Sequence, residues 1–246
     1  MNLSIKQVFY IARKDLKAYY LKPPLVSWGL ILPVVFILAF YLRNPEGISD
    51  VTPGLVGLTL LFSTTSMAAI VIAFEKRIDA LERLLLAPLS MKTLIFGKAL
   101  GSSTFGAGMG AVVLVLSLVF FKLSLSNGAL LFLGIVLSAL VFAFMGLLIS
   151  VSVREIFEAM TLSNFFRFPM IFLCGVFFPF ESLPKAIQII GYFLPLTYCV
   201  DLFRFCLLPQ KGFLNPYTDI IALIAFNLIL FFWIDLTFRK RLRQQY

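Results

Sequence analysis

Six stretches of this chain, each roughly as long as a bilayer is thick in helical form, constrain its fold more than any other feature. They run over about 25–42, 54–74, 94–121, 129–152, 161–180 and 219–238. A hydrocarbon core about 30 Å thick takes roughly 20 apolar residues per helix, and lipid leaves no partner for an unpaired backbone amide. Helices are therefore the natural conformation for these stretches. Strands are disfavoured because the runs lack strict alternation and are too long. Together they use most of the 246 residues, of which 61% are hydrophobic and 13% charged. One all-α integral membrane domain follows, with no room for a soluble domain of ordinary size.

The net charge of +9 reads as topology. With the N-terminus inside the cell, the five basic residues from Lys6 to Lys22 become cytoplasmic. So do the five from Lys76 to Lys98, then Arg154, Arg167 and the four from Arg239 to Arg243. Sixteen of the 21 basic residues are thus internal, as the positive-inside rule asks, and six spans return the C-terminus to the cytoplasm. This distribution gives no reason to invoke nucleic acid.

Between the second and third runs lies FEKRIDALERLLLAPLS, residues 74–90. A linker between spans need only be short and polar. This one has helical spacing, with Phe74, Ile78, Leu81 and Leu85 on one face and Glu75, Lys76, Asp79, Glu82 and Arg83 on the other. Pro88 ends it and Ser90 is placed to cap the next helix. A charged amphipathic helix over 75–90, held between two spans, suits docking of a soluble partner. The fourth span ends in a second brief cytoplasmic loop containing Arg154, Glu155 and Glu158.

Residues 1–24 hold a basic amphipathic helix with Ile5, Val8, Phe9, Ala12, Leu16 and Tyr19 on one stripe. That pattern fits a helix lying in the membrane surface, or a frayed soluble tail. Lys22-Pro23-Pro24 breaks it, and Pro33 should kink the first span. Ser63, Thr64, Thr65 and Ser66 either line a pathway or bond to neighbouring carbonyls. Gly97/Gly101 and Gly106/Gly110 repeat at helix-packing spacing. Arg167, placed in the fifth span near its inner end, either snorkels to the interface or faces the bundle interior. The segment 181–210, with the Pro179 that precedes it, is too apolar for a solvated loop yet broken by Pro184, Pro195 and Pro209. It reads as two short helices, about 184–193 and 196–207, dipping back into the outer leaflet, with Glu181, Asp201 and Arg204 near the mouth.

Several chemistries are missing. The Gly97-Lys98 pair lacks the upstream glycine of a phosphate loop and is followed by Ala99. There is no histidine, and Cys174, Cys199 and Cys206 lack metal-ligand spacing. Cys199 and Cys206 read as free thiols on one helix face or as a pair. The carboxylates read as lying at loops and membrane edges, with no close pair buried in mid-span.

In combination, three features resemble the membrane subunit of a type-2 ABC exporter: the 74–90 helix continuing into Gly97-Lys98, the segment FRFPMIFLCGVFFPFESLPKAIQIIGYFLPLTYCVDLFR before the last span, and the basic N-terminal helix. The resemblance covers nearly the whole chain. It implies a non-catalytic half-transporter in the cytoplasmic membrane. Such a half pairs with a second copy or a related permease, sits in membrane lipid, and is driven by two P-loop ATPase subunits that bind the ATP and magnesium. It further implies an ATPase-coupling role for residues 75–87 and for Arg154 to Glu158. The outer gate would comprise Pro179, Glu181, Pro184, Pro195, Asp201 and Arg204. A hydrophobic drug or a lipid is the favoured substrate. The competing reading is a stand-alone secondary carrier or channel.

Overall fold

The computed structural model describes residues 5–21, 31, 34–42, 48–87, 89–121, 123, 125–153, 155–208 and 212–245. Much of the 25–42 run, Pro23, Pro24, Pro33, Pro88, Arg154, Pro209 and the Leu85 side chain lie outside that description. Among the described residues there is no strand. The helices are α1 (Ile5–Asp15), α2 (34–42), α3 (Ile48–Arg77), α4 (Ala80–Leu86) and α5 (Met91–Phe121). They continue as α6 (Gly128–Ser152), α7 (Ile156–Leu173), α8 (Lys185–Tyr192), α9 (Pro195–Leu207) and α10 (Pro216–Gln245). Five of these, α3, α5, α6, α7 and α10, are long and apolar enough to cross a membrane. The pair α8–α9 would add a sixth crossing if its two bent halves count as one.

α3 is apolar around its whole circumference, and such a helix belongs in the middle of a bundle. It packs against α5, α6, α7 and α9, and together with α6 it is the most enclosed of the spans. Small residues permit the close approach. A Cβ on Gly106 of α5 would strike the Thr64 side chain of α3, and one on Gly146 of α6 would lie 2.7 Å from the Thr65 carbonyl oxygen. The neighbouring hydroxyls serve their own helix: Ser63 donates to the Thr59 carbonyl at 2.5 Å and Thr65 to that of Leu61. Gly97 and Gly101 receive α1 instead, with Ile11 and Ala12 lying directly on them. Gly97, Gly101, Gly106 and Gly110 are therefore spent on packing within this chain, while Gly108, the fifth glycine of α5, faces open space.

Three boundaries differ from the sequence reading. α3 begins at Ile48, ahead of the expected 54, and α10 extends from Pro216 to Gln245 around the expected 219–238. α7 occupies Ile156–Leu173 where 161–180 was expected. Its start is set by a capping box between Glu155 and Glu158. Its end is set by Gly175, whose φ of 71° is a left-handed turn that glycine adopts without strain.

At about 1.5 Å per residue, α3 is about 45 Å long and defines two ends of the molecule. At the N-terminal end of α3, Gly54 meets Val176 and Gly57 meets Val200, so the break after α7 and the helix α9 gather there. At the other end lie α4, α1 and the start of α5.

Candidate coupling surface

α3 runs unbroken through Phe74, Glu75 and Lys76, so the expected helix of its own over 75–90 is shorter than its pattern suggested. The break falls at Ile78–Asp79, where Asp79 adopts φ 56° and the chain restarts as the seven-residue α4. Aspartate is among the few side chains that tolerate this left-handed region. The next helix starts as expected, with Ser90 Oγ accepting from the Thr93 N–H at 3.1 Å.

The break resets the helical phase and divides the expected ridge. Leu81 is 4% exposed and packs into a cluster that includes Leu94, Ile95 and Val151. It is an internal wedge, which corrects its assignment to a docking ridge. Ile78 is exposed, and Leu86 is 87% exposed at the end of α4. Asp79, Glu82 and Arg83 stand out in solvent around them. The α4 segment thus presents two exposed apolar side chains, Ile78 and Leu86, among charged neighbours.

The second short loop lies alongside. Glu155 and Glu158 are exposed, with the Glu155 N–H donating to Glu158 Oε2 at 3.4 Å. A groove of about 570 Å³ opens between the end of α3 and the start of α7, lined by Ala73, Lys76, Arg77, Glu155, Ile156 and Phe157. Lys76 and Glu155, assigned from separate loops in the sequence, share this one groove.

Glu75 is a different case, because it is buried and does not belong to the exposed face. Lys98 of α5 donates to its Oε2 and Lys14 of α1 donates to its Oε1 at 2.5 Å. Asp15 completes the group, 3.4 Å from Lys98 and 3.0 Å from Lys14. Two cations and two anions make a neutral quartet joining α1, α3 and α5. Lys98, Asp15 and Glu75 are enclosed, whereas Lys14 keeps 38% of its side chain open. Asp15 and Glu75 thus form a close carboxylate pair held away from solvent at the ends of α1 and α3 rather than in mid-span.

Burial raises the Asp15 carboxyl above its ordinary value, against the pull of Lys98 and Lys14. Burial alone would lower the Lys14 ammonium, but Asp15 and Glu75 outweigh it and hold it above the ordinary 10.5. Tyr20 is enclosed beside Phe105, its hydroxyl without a hydrogen-bond partner, and burial pushes it well above 10.0, so it stays neutral. Lys98 and Asp15 escaped the sequence reading, although signals existed. Lys98 is a lysine eight residues into a membrane helix, and Asp15 is the one acid among the first 45 residues.

At the opposite end, α8 and α9 meet at a bend of 97°. The Phe180 ring is buried against Gly191 and stacks on Phe213 at 4.7 Å. Pro179, Glu181 and Pro184 are exposed, while Pro195, Asp201 and Arg204 are enclosed. Asp201 accepts the Phe213 and Leu214 N–H groups, each at 2.9 Å, and Arg204 Nη2 donates to the Gly175 carbonyl at 3.1 Å. These two side chains are internal latches on the chain ends of α7 and α10, which corrects their placement at a mouth. All three cysteines are free and buried, so Cys199 and Cys206 do not pair.

Comparison with known proteins supplies the context. Residues 6–208 match the family model described as ABC-2 type transporter. The chain is 26% identical over 217 residues to the inner membrane transport permease YadH of Escherichia coli K12, covering 86% of this chain and 82% of that protein. It is 30% identical over 185 residues to the ABC transporter permease protein NatB of Bacillus subtilis, covering 70% of this chain and 47% of NatB. It is also 29% identical over 175 residues to the probable multidrug ABC transporter permease YbhS of Escherichia coli, covering 69% and 46%.

Proposed function

The chain belongs to the ABC-2 type transporter family, as a multi-pass permease subunit in the cytoplasmic membrane, and we propose that it is half of an ATP-driven exporter whose motor docks at the α4 end. The family implies partnership with ATP-binding subunits. In this reading two such subunits bind the ATP and magnesium, and two permease copies enclose the pathway. Both termini lie in the cytoplasm, which puts α4 and the α3–α7 groove inside and α8–α9 outside. The observation that carries the reading is the α4 end, where exposed Ile78 and Leu86 sit among charged neighbours beside a groove joining two loops. Helix-in-groove contacts are built this way, with apolar anchors for affinity and surrounding charge for orientation.

The internal packing supports a route for force. A push on α4 bears on Leu81, wedged against the start of α5. Glu75 and Lys98 tie the end of α3 to α5, and Lys14 and Asp15 bring α1 into the same unit. α3 continues without a break to the opposite end, where Gly57 lies against Val200, 3.1 Å from where a Cβ would stand. A displacement at α4 thus reaches α9 through one rigid helix, the kind of element that rocks between two packed arrangements. On the outer side, the α8–α9 bend latched by Asp201 and Arg204 is the gate. A hydrophobic drug or lipid is the substrate class this reading favours, in line with a permease wall rich in phenylalanine.

Affinity purification in mild detergent tests the assignment. An ATPase recovered in about equal amount, and ATP-dependent efflux from vesicles holding both proteins, are the expected results. A lone homo-oligomer active without ATP would establish the carrier or channel reading instead.

A further inference from the structure

Arg167 has no part in the coupling route. It was expected near the inner end of its span, where a snorkelling side chain reaches water. With α7 starting at Ile156 it instead stands eleven residues in, about 16 Å from that end. It is 4% exposed, so it faces the bundle interior. Its guanidinium lies 5.1 Å from the centre of the Phe62 ring, and Phe62 is close to the midpoint of α3. Among the described residues its one hydrogen bond is from Nη1 to Asn164 Oδ1 at 3.3 Å, and Nε has no partner there. No carboxylate lies within ion-pair distance among the described residues. An arginine at this depth costs roughly 2.5–3.5 kcal/mol on insertion scales and is functional by default.

A second copy of the chain is poorly equipped to neutralise it. Asp50, Glu75, Glu158 and Asp219 lie in the first or last turns of their helices, and Asp235 pairs with Arg239. Asp201, deeper than these, is engaged by two backbone N–H groups. A counter-charge for the guanidinium would have to be brought by another molecule reaching the α3–α7 contact. The surroundings specify its remainder, because Phe62 and Phe168 form an edge-to-face pair at 6.4 Å, and Phe168 and Phe165 turn outward on α7. We propose that Arg167 and Asn164, under the Phe62–Phe168 pair, bind the acidic head of an anionic amphiphile, and that this is the class of substrate the permease moves. The proposal rests on the permease reading for its transport half and on the α3–α7 geometry alone for its binding half.

Binding is measured on the purified full chain in phosphatidylcholine nanodiscs, without the ATPase. The probes are a fluorescent twelve-carbon carboxylate, its methyl ester and a trimethylammonium analogue. The carboxylate should bind at least tenfold tighter than the other two. Arg167→Gln should remove that preference, and Arg167→Lys should keep its sign at lower affinity. Competition by added phosphatidylglycerol would identify the head group as that of a membrane lipid, and indifference to it would leave a free acid as the ligand; both agree with the proposal. Equal affinities in the wild type, or a preference that survives Arg167→Gln, would overturn it. So would a loss of dimer in Arg167→Gln with no change in binding, which would assign the guanidinium to a subunit contact. Recovery of the ATPase is scored separately on the same variants. Charge-selective binding without ATPase capture refutes the permease reading and keeps the site, whereas capture without selectivity refutes the site alone.

Discussion

Replacing Lys98 with methionine tests the buried quartet most sharply. Methionine keeps much of the volume and removes the charge. Asp15 and Glu75 would then face only Lys14, which is 38% open to solvent and screened accordingly, leaving a net charge of −1 in an enclosed site. Breaking a buried pair by removing one partner costs about 3–5 kcal/mol, because the remaining charge is desolvated without compensation. For a chain of this size that corresponds to a fall in Tm of roughly 6–20 °C. The second arm is the double variant K98M/E75Q, which restores neutrality with the Lys14–Asp15 pair intact. Because swapping a buried pair for neutral groups of similar size is often close to cost-free, the double variant should lie within about 2 kcal/mol of wild type. The assay is a thermal melt of the detergent-purified chain, read as a double-mutant cycle with Glu75→Gln as the other single. Effects that add within about 0.5 kcal/mol would show that the two side chains are not coupled, and the quartet argument would fail.

Ile78→Asp and Leu86→Asp should each abolish ATPase co-purification at unchanged permease yield, whereas Leu81→Asp, which forces a charge into the α4–α5 cluster, should lower the yield itself. Asp201→Ala strips the acceptor from the Phe213 and Leu214 N–H groups; at about 1.5–3 kcal/mol for hydrogen bonds to a charged group, it should speed hydrogen exchange at those two amides before α10, which follows them, responds. Lys14 is held above its ordinary value in the folded chain, so its contribution to stability is complete below about 10.5 and is lost as pH climbs through the raised value. The Tm difference between wild type and Lys14→Gln should therefore be constant from pH 7 to pH 10, shrinking only in stronger alkali. A difference that shrinks between pH 7 and pH 9 would contradict the clamp.

Apolar periodicity made the long helices legible, and the Ser90 cap and the α8–α9 pair also followed from residue type. What escaped was phase and partnership. A ridge through Phe74, Ile78, Leu81 and Leu85 presumes one unbroken helix, and the left-handed Asp79 rotates everything beyond it, sending Leu81 inward. Glu75 and Asp79 look equivalent in a helical projection, yet one is buried and the other exposed, because only Glu75 stands opposite Lys98 of a helix 23 residues further on. The Lys98–Asp15 contact spans 83 residues, and no local pattern encodes such a pairing. Asp201 and Arg204 misled for a related reason. Charges near an outer loop read as solvent-facing until the free N–H groups of Phe213 and Leu214 and the carbonyl of Gly175 are seen to need them.

Site-directed cross-linking tests the coupling assignment most directly, and the three native cysteines, all buried, leave the surface free for a single introduced thiol. Leu86→Cys is placed at the α4 end and Phe193→Cys, also exposed, at the opposite end as its control. Leu86→Cys should link to the ATP-binding subunit, with a yield that changes when ATP is added, while Phe193→Cys should never reach it. Linkage through Phe193→Cys, or sustained ATP-driven transport with Leu86→Cys touching nothing and reacting only with an impermeant reagent outside the cell, would contradict the account.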